Sequence, residues 1–255
     1  LEIIWIELAE DVDLVIHAAA QPSHPRSIEI PLEDFSVNAG GTLGLLELVR
    51  RERPEAVFVY CSTNKVYGDR PNGLPVVERP TRFDYDGLDG VDETMPIDQC
   101  LHTPFGVSKA AADLYVQEYG RLYGLRTGVF RMGCIAGGAA RGVEDHNWES
   151  WFVRVALAGT ELTVYGHGGK QVRDVVHARD LARLFETFAA APRAGEVYNI
   201  GGGRENSISL LESFDLIEKV TGRRIRWKDG PAREGDHVVY VTDLRKVRSH
   251  YGWRP

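Results

Sequence analysis

Three short apolar segments alternate with two helical patterns in the first half of the chain, and this alternation constrains the fold most. Residues 13–20 (DLVIHAAA), 56–61 (AVFVYC) and 126–131 (RTGVFR) are nearly continuous apolar runs, as expected of strands buried on both faces of a parallel sheet. Residues 32–51 and 105–123 have helical spacing. The alternation predicts right-handed crossovers and an α/β fold with a doubly wound, Rossmann-like parallel sheet, in which ligands bind at the carboxyl ends of the strands.

The second half of the chain is less regular and predicts a smaller lobe. Helices are expected over residues 147–158, 178–191 and 209–220 and from Asp243, and short strands over 162–165, 171–175, 196–200 and 225–227. A length of 255 residues fits one main domain with a smaller lobe. We expect a Rossmann-like domain over residues 1–160, with a contribution from about 171–200, and a smaller lobe over 161–255.

Composition excludes several classes of protein. The chain has 30 basic and 37 acidic residues, a net charge of −7, which gives no general attraction for nucleic acid. No apolar run approaches the ~18 residues of a membrane span. Three cysteines without a CxxC pair favour a reduced, cytoplasmic location, and the histidines and cysteines lack metal-ligand spacing, so no metal is expected.

Two other segments give weaker indications. Residues 68–103 are long for a connection and contain four prolines and an acidic stretch, which predicts a solvated lid over an active site. Residues 201–206 (GGGREN) follow a predicted strand, but Asn206 stands where a dinucleotide-binding motif needs its third glycine. We therefore expect a turn there rather than a cofactor loop.

Seven further motifs occur in order along the chain. They are HAAAQ (17–21), VNAGGT (37–42), YCSTNKVYGD (60–69), TPFGVSKAAAD (103–113), GKQVRDVVHARD (169–180), YNIGGG (198–203) and PAREGD (231–236). Together they resemble the extended short-chain dehydrogenase/reductase family, in its NAD-dependent nucleotide-sugar epimerase branch. The run STNKVYGD with its acidic loop is most similar to the CDP-tyvelose (CDP-paratose) 2-epimerases, and the resemblance covers nearly the whole chain.

The resemblance implies a catalytic group made of Thr63, position 105 and Lys109. Thr63 would hydrogen-bond the reacting sugar hydroxyl, and Lys109 would hold the nicotinamide ribose and assist the residue one helical turn before it. A simpler interpretation of Thr63 is a hydroxyl that caps the loop after its strand.

The resemblance also implies two sets of binding residues. NAD would lie along Ala18, Ala19, Gln21, Asn38, Cys61 and Lys109, and the nucleotide sugar would contact Asn64, Lys65, Gln171, Arg173 and Arg233. Arginine suits a diphosphate because its planar guanidinium donates two parallel hydrogen bonds to an anion. The alternative for Arg173 and Arg233 is an ordinary surface salt bridge.

The chain departs from the family pattern in two places. Position 105 is Phe where the family has Tyr, so the ring is kept and the proton shuttle is lost. Lys109, Lys65 or a water held by Thr63 are the replacements that the sequence offers as the base. The glycine-rich turn and the acidic ribose-binding residue are also absent, so we expect roughly two βαβ units of ~30 residues each to be missing before Leu1.

The function expected from the resemblance is epimerisation of a nucleotide-linked sugar by transient oxidation at carbon 2. One alternative is a 4,6-dehydratase, but dehydratases place Asp-Glu after the Thr, and here Asn64 and Lys65 follow it. Another is a catalytically degenerate protein that binds a nucleotide sugar without turnover. The expected partners are the nucleotide sugar and further copies of the chain, as a homodimer or homotetramer through helix 105–123.

Overall fold

Residues 11–137 and 148–255 are described by the computed structural model, and strands alternate with helices along them. The strands are β1 (Leu14–His17), β2 (Val57–Thr63), β3 (Val76–Glu78), β4 (Phe83–Tyr85), β5 (Arg126–Met132), β6 (Cys134–Ala136), β7 (Glu161–Tyr165), β8 (Val172–His177), β9 (Glu196–Ile200), β10 (Ser207–Ser209), β11 (Arg226–Gly230) and β12 (Val239–Tyr240). The helices are α1 (His24–Glu29), α2 (Pro31–Phe35), α3 (Gly41–Glu52), α4 (Thr103–Leu122), α5 (Trp148–Ala158), α6 (Ala178–Ala190), α7 (Leu210–Thr221) and α8 (Arg245–Tyr251).

A four-stranded parallel sheet in the order β1-β2-β5-β9 is the centre of the fold. Its two faces are covered by different helices. On one face, residues of α3 and α4 such as Leu46 and Val116 pack with Phe58 of β2. On the other face, residues of α6 such as Phe188 pack with Phe130 of β5. The predicted doubly wound α/β sheet is confirmed.

A buried ion pair fixes α4 against this sheet. Arg131 of β5 donates from Nε to Asp113 Oδ2 at 2.9 Å and from Nη2 to Asp113 Oδ1 at 3.0 Å. Ser62 of β2 donates to the same carboxylate at 2.7 Å. Because two charged groups are costly to bury unless they are fully hydrogen-bonded, this network sets how α4 lies across β2 and β5.

The second half forms smaller sheets and also returns a strand to the main one. Strand β8 pairs with β10, β12 and β6, and β7 pairs with β11, whereas β9 completes the central sheet. The three-residue spacing of Ser209 and Glu212 predicts a capping box, and one is present at the start of α7, where each side chain is bonded to the other residue's backbone. Helix α5 begins at Trp148, and residue 147 of its predicted span lies outside the described residues.

Segment 68–103 differs from the prediction of a solvated lid. It contains the β3–β4 hairpin, and its Tyr85 and Val91 are buried in an apolar cluster with Val239 and Tyr240. Tyr85 also donates a hydrogen bond to the carbonyl of Val239 at 2.8 Å. Since apolar burial holds the segment against the second half of the chain, it forms part of the core there, and none of its residues lines the cleft described below.

The predicted helix 32–51 is divided, because a π-helical turn at Ser36–Gly40 separates α2 from α3. Segment 201–206 forms a turn, as expected. A side chain at Gly201 would collide with Oδ2 of the buried Asp174 carboxylate. The glycine is therefore required by close packing. Among the described helices, none is long and apolar enough to cross a membrane.

Candidate active site

A cleft of ≈ 390 Å³ opens at the carboxyl ends of β2 and β5, where Thr63 and Met132 are register partners. This is the edge at which ligands bind in sheets of this type. The cleft brings together seven of the residues singled out in the sequence: Thr63, Asn64, Lys65, Phe105, Gln171, Arg173 and Arg233. They come from four distant parts of the chain, so the tertiary structure joins them.

Thr63 ends β2 and lines the cleft. Its Oγ1 accepts a hydrogen bond from the backbone N–H of Lys65 at 3.2 Å and so caps the short 3-10 turn that follows the strand. The capping interpretation is thus correct, and it is compatible with a second role because a hydroxyl has two acceptor lone pairs and a donor. The cap orients the hydroxyl at the cleft wall.

Phe105 and Lys109 lie one turn apart near the start of α4, but they face different surroundings. The Phe105 ring lines the cleft. The Lys109 Nζ donates to the carbonyl of Cys61 at 2.8 Å and lies 4.3 Å from the centre of the Tyr60 ring. Burial lowers the pKa of Lys109 from 10.5 to about 8. Its amine therefore lies between α4 and the end of β2 and is not part of the cleft lining.

Lys65 and Arg173 converge on one carboxylate, that of Asp236. Lys65 Nζ donates to Asp236 Oδ1 at 3.2 Å and to the carbonyl of Gly235 at 2.8 Å, and Arg173 Nη2 donates to the same Oδ1 at 2.9 Å. Burial alone would raise the pKa of Asp236, but the charges of Arg173 and Lys65 hold it well below its usual range. The cluster therefore carries a net positive charge and can attract an anion.

Arg233 and Gln171 extend the polar wall of the cleft beside Tyr165. The Arg233 guanidinium lies 3.8 Å from the centre of the Tyr165 ring, and Gln171 Nε2 donates to the Tyr165 carbonyl at 3.2 Å. The side-chain oxygen of Gln171 is buried and has no hydrogen-bond partner among the described residues. The unpartnered oxygen suits a donor group of a ligand, such as a hydroxyl, and the guanidinium suits an anionic group.

The residues predicted to line NAD lie outside the cleft, at the end of β1 and beside α4. The backbone N–H of Gln21 donates to Asn38 Oδ1 at 2.9 Å, and Asn38 Nδ2 donates to Ser108 Oγ on α4 at 3.0 Å. These bonds hold the loop after β1 against α4. Ala18 and Ala19 are exposed directly after β1.

Several residues of the cleft were not singled out from the sequence, among them Asp236, Glu149 and His24. Asp236 ends the motif that contains Arg233, and its position three residues later was the available signal. Glu149 lies between Trp148 and Trp151 on α5; its Oε1 is buried without a partner among the described residues, and burial raises its pKa to about 7. An acidic residue among aromatic residues was a weak signal for it.

His24 at the start of α1 also lines the cleft. Its Nε2 is buried, and no hydrogen-bond partner for it lies within residues 11–137 or 148–255. Burial, and next the charge of Lys65, lowers its pKa to about 4, so the imidazole is neutral at physiological pH. Nothing in the spacing of the sequence around His24 indicated this placement.

A doubly wound parallel sheet with a cationic cleft at the carboxyl ends of its strands is typical of nucleotide-binding α/β proteins. The model of the NAD dependent epimerase/dehydratase family matches residues 4–201. The CDP-paratose 2-epimerase of Salmonella typhi is 40% identical over 251 residues, which cover 95% of this chain and 73% of that protein. The chain therefore belongs to the NAD dependent epimerase/dehydratase family.

Two solved structures agree with this assignment. UDP-glucose 4-epimerase of Thermotoga maritima, solved with UDP-glucose, has a TM-score of 0.78 and 28% identity, over 95% of this chain and 72% of its own. UDP-glucose 4-epimerase of Thermus thermophilus, in complex with NAD, has a TM-score of 0.77 and 29% identity, over 96% of this chain and 73% of its own. The resemblance stated from the motifs is confirmed.

Proposed function

We propose that this protein is an NAD-dependent epimerase of a CDP-linked sugar, of the CDP-paratose 2-epimerase type. One observation carries the proposal: a single cleft is lined by Thr63 and Phe105 and also by Arg173 and Arg233. A sugar can thus lie at the strand end while its diphosphate meets the cations. The 40% identity to a CDP-paratose 2-epimerase supports the choice of substrate class.

The cationic end of the cleft is suited to the diphosphate. Arg173 donates from Nη2 to Asp236 and from Nη1 to the carbonyl of Val172 at 2.9 Å, and these bonds hold it in place. The other N–H groups of the guanidinium remain for a ligand. Guanidinium groups bind phosphate oxygens with charge-assisted hydrogen bonds, which are about twice as strong as neutral ones. We assign Arg173 and Arg233 to the diphosphate, and Asn64, Lys65 and Gln171 to neighbouring polar groups of the same substrate.

The residues at the end of β1 and on α4 fit the nicotinamide ribose end of NAD. An ammonium group has three donors, and Lys109 Nζ has one hydrogen bond among the described residues, to the carbonyl of Cys61. The other two donors suit ribose hydroxyls, and the small side chains of Ala18 and Ala19 leave the strand end open. When bound, NAD supplies the hydride acceptor and donor for oxidation and re-reduction of the sugar carbon.

The test is epimerisation of CDP-paratose in the presence of NAD⁺, followed by NMR of the sugar protons. A substrate that carries deuterium at carbon 2 should keep it in the product, because the hydrogen removed is returned and is not exchanged with water. Thr63→Val should lower the rate and Thr63→Ser should retain it, since only serine keeps the hydroxyl that lines the cleft. Loss of the deuterium, or tight CDP binding without any epimer, would contradict the proposal, and the second result would identify a binding protein.

We also propose that a second copy of the chain covers the outer face of α4. Four exposed apolar side chains lie on this one helix: Val107, Leu114, Tyr115 and Leu122. An exposed apolar stripe of this kind is a sign of an interaction surface. Light scattering after size exclusion should give the mass of a dimer or tetramer, and Leu114→Arg should reduce it to that of a monomer. A monomeric parent protein would refute this arrangement.

A further inference from the structure

The proposed epimerisation needs a group that accepts the proton of the sugar hydroxyl, and the Phe105 ring cannot do so. The two lysines offered by the sequence are already engaged. Lys109 Nζ is bonded to the carbonyl of Cys61 outside the cleft lining, and Lys65 Nζ donates to the carbonyl of Gly235 and to Asp236. Each Nζ donates hydrogen bonds to protein oxygens where it lies, so neither lysine is placed as the acceptor.

His24 lies close to Phe105, and both residues line the cleft. Ser27 Oγ donates to the carbonyl of His24 at 2.7 Å and accepts from the backbone N–H of Phe105 at 3.1 Å. One hydroxyl therefore ties the start of α1 to the start of α4, and both residues line the cleft together with Thr63. The Nε2 atom of His24 is buried, with no partner among the residues that the structure describes.

The charges around His24 favour its neutral form. Lys65, from the turn after β2, and Arg233, from the segment before β12, both disfavour a proton on the ring, whereas Asp236 favours one. The neutral imidazole has one nitrogen with a free lone pair, which is what a proton acceptor requires. A diphosphate bound beside Arg233 adds negative charge to this region and so raises the proton affinity of His24 when substrate is present.

We propose that Nε2 of His24 accepts the proton of the reacting sugar hydroxyl, in the position left without a phenol by Phe105. The inference rests on the proposed function. The O–H bond of the hydroxyl breaks, its proton forms a bond to Nε2, and the electron pair left on oxygen becomes the second bond of the carbonyl. The hydrogen on the sugar carbon leaves with its electron pair to the nicotinamide of NAD⁺. In the return half the same proton goes back to oxygen.

The first test is kinetic. His24→Gln keeps a polar side chain that cannot take up a proton, and it should lower the rate of epimerisation by ~10²–10⁴-fold, the usual contribution of a general base. The affinity for CDP, measured by calorimetry, should change less than threefold. His167→Gln is the matched control, because His167 is exposed and does not line the cleft. The double variant His24→Gln/Phe105→Tyr should recover activity, since the phenol restores an acid–base group one turn before Lys109.

The second test does not depend on turnover. The pKa of His24, followed by NMR of its ring protons in the full chain, should rise by at least one unit when CDP is added, while the ring-proton signals of His167 should not respond to CDP. The inference would be overturned if His24→Gln catalysed epimerisation as fast as the parent protein, or if the pKa of His24 did not change when CDP was added. A parent protein that never forms the epimer would instead contradict the proposed function, and the NMR titration would still show whether His24 responds to the diphosphate.

Discussion

Arg173 and Asp236 form an ion pair inside the cleft, with Nη2 and Oδ1 2.9 Å apart and side chains that are 13% and 36% exposed. They are 63 residues apart in the sequence. The same carboxylate oxygen also accepts from Lys65, so one anion holds two cations at the site of the proposed diphosphate. A fixed arginine loses less conformational freedom when it binds a ligand, so the pair prepares the cleft for substrate.

Arg173→Ala and Arg233→Ala should each weaken CDP binding strongly. Loss of a charge-assisted contact costs about 2–3 kcal/mol, which corresponds to a roughly 30–150-fold higher Kd. Calorimetry with CDP measures the change. Arg204→Ala is the control, because Arg204 is bonded to Asp84 and to the carbonyl of Leu88 outside this cleft. Unchanged affinity in both cleft variants would refute the assignment of the two arginines.

Lys109→Met should weaken NAD⁺ binding by about tenfold or more, the equivalent of one hydrogen bond of about 1.4 kcal/mol. The methionine side chain preserves most of the packing volume between α4 and β2 while removing the donors. CDP binding should stay within twofold of the parent protein, because Lys109 is not among the residues that line the cleft. Titrations with NAD⁺ and with CDP separate the two effects. Loss of CDP affinity in Lys109→Met would refute the assignment of Lys109 to NAD binding alone.

Glu149 should make the folded state less stable as the pH rises. Burial raises its pKa from 4.5 to about 7, so the neutral carboxyl is favoured in the folded chain. Its stabilising contribution is complete below pH 4.5 and is lost as the pH rises through about 7, a change of about 3 kcal/mol at 1.36 kcal/mol per pKa unit. Glu149→Gln should remove this part of the pH dependence.

Urea unfolding of the parent protein and of Glu149→Gln, at pH 5 and at pH 8, checks this expectation. Glu186→Gln on the exposed side of α6 serves as the control, because it removes a carboxyl that is not buried. The free energy of unfolding of Glu149→Gln should exceed that of the parent at pH 8 by more than it does at pH 5. Equal differences at the two pH values would show that the Glu149 carboxyl is not held neutral.

Asp113→Asn should destabilise the fold by about 3–5 kcal/mol, because it leaves the buried guanidinium of Arg131 without its charge partner. The side chains of Arg131 and Asp113 are 6% and 0% exposed. Glu55→Gln removes the exposed pair with Arg126 and should cost at most about 1 kcal/mol. Chemical denaturation of the two variants compares them directly. If both variants lost a similar free energy of unfolding, burial would not be the reason why the Arg131–Asp113 pair stabilises the fold.

Hydrophobic pattern alone was enough to predict the central sheet. The apolar runs at residues 13–20, 56–61 and 126–131 correspond to β1, β2 and β5, because strands covered on both faces need apolar side chains at nearly every position. The capping box of α7 was equally local, since Ser209 and Glu212 are three residues apart. Elements whose cause lies within a few neighbouring residues could be predicted without a structure.

Segment 68–103 shows where local pattern failed. Its prolines and acidic residues favoured a solvated lid, yet Tyr85 and Val91 pack with residues near position 240. The residues that bury them are about 150 positions away in the sequence, and the hydrophobic periodicity of a short segment carries no information about such a distant contact. The many polar residues around Tyr85 and Val91 led to the prediction of a solvated segment. Burial depends instead on whether a distant apolar surface packs against these two side chains.

The residues of the cleft were identified partly from sequence motifs and partly from the structure. Motif resemblance selected Thr63, Arg173 and Arg233, and the structure placed all three in one cavity. His24 and Glu149 belong to no motif that pointed to them, and their unpartnered atoms became visible only when the chain was folded around them. A sequence determines which side chains are available to an active site. Which polar atoms are buried without a partner is decided by the packing of distant elements, because burial and hydrogen bonding are properties of the assembled structure.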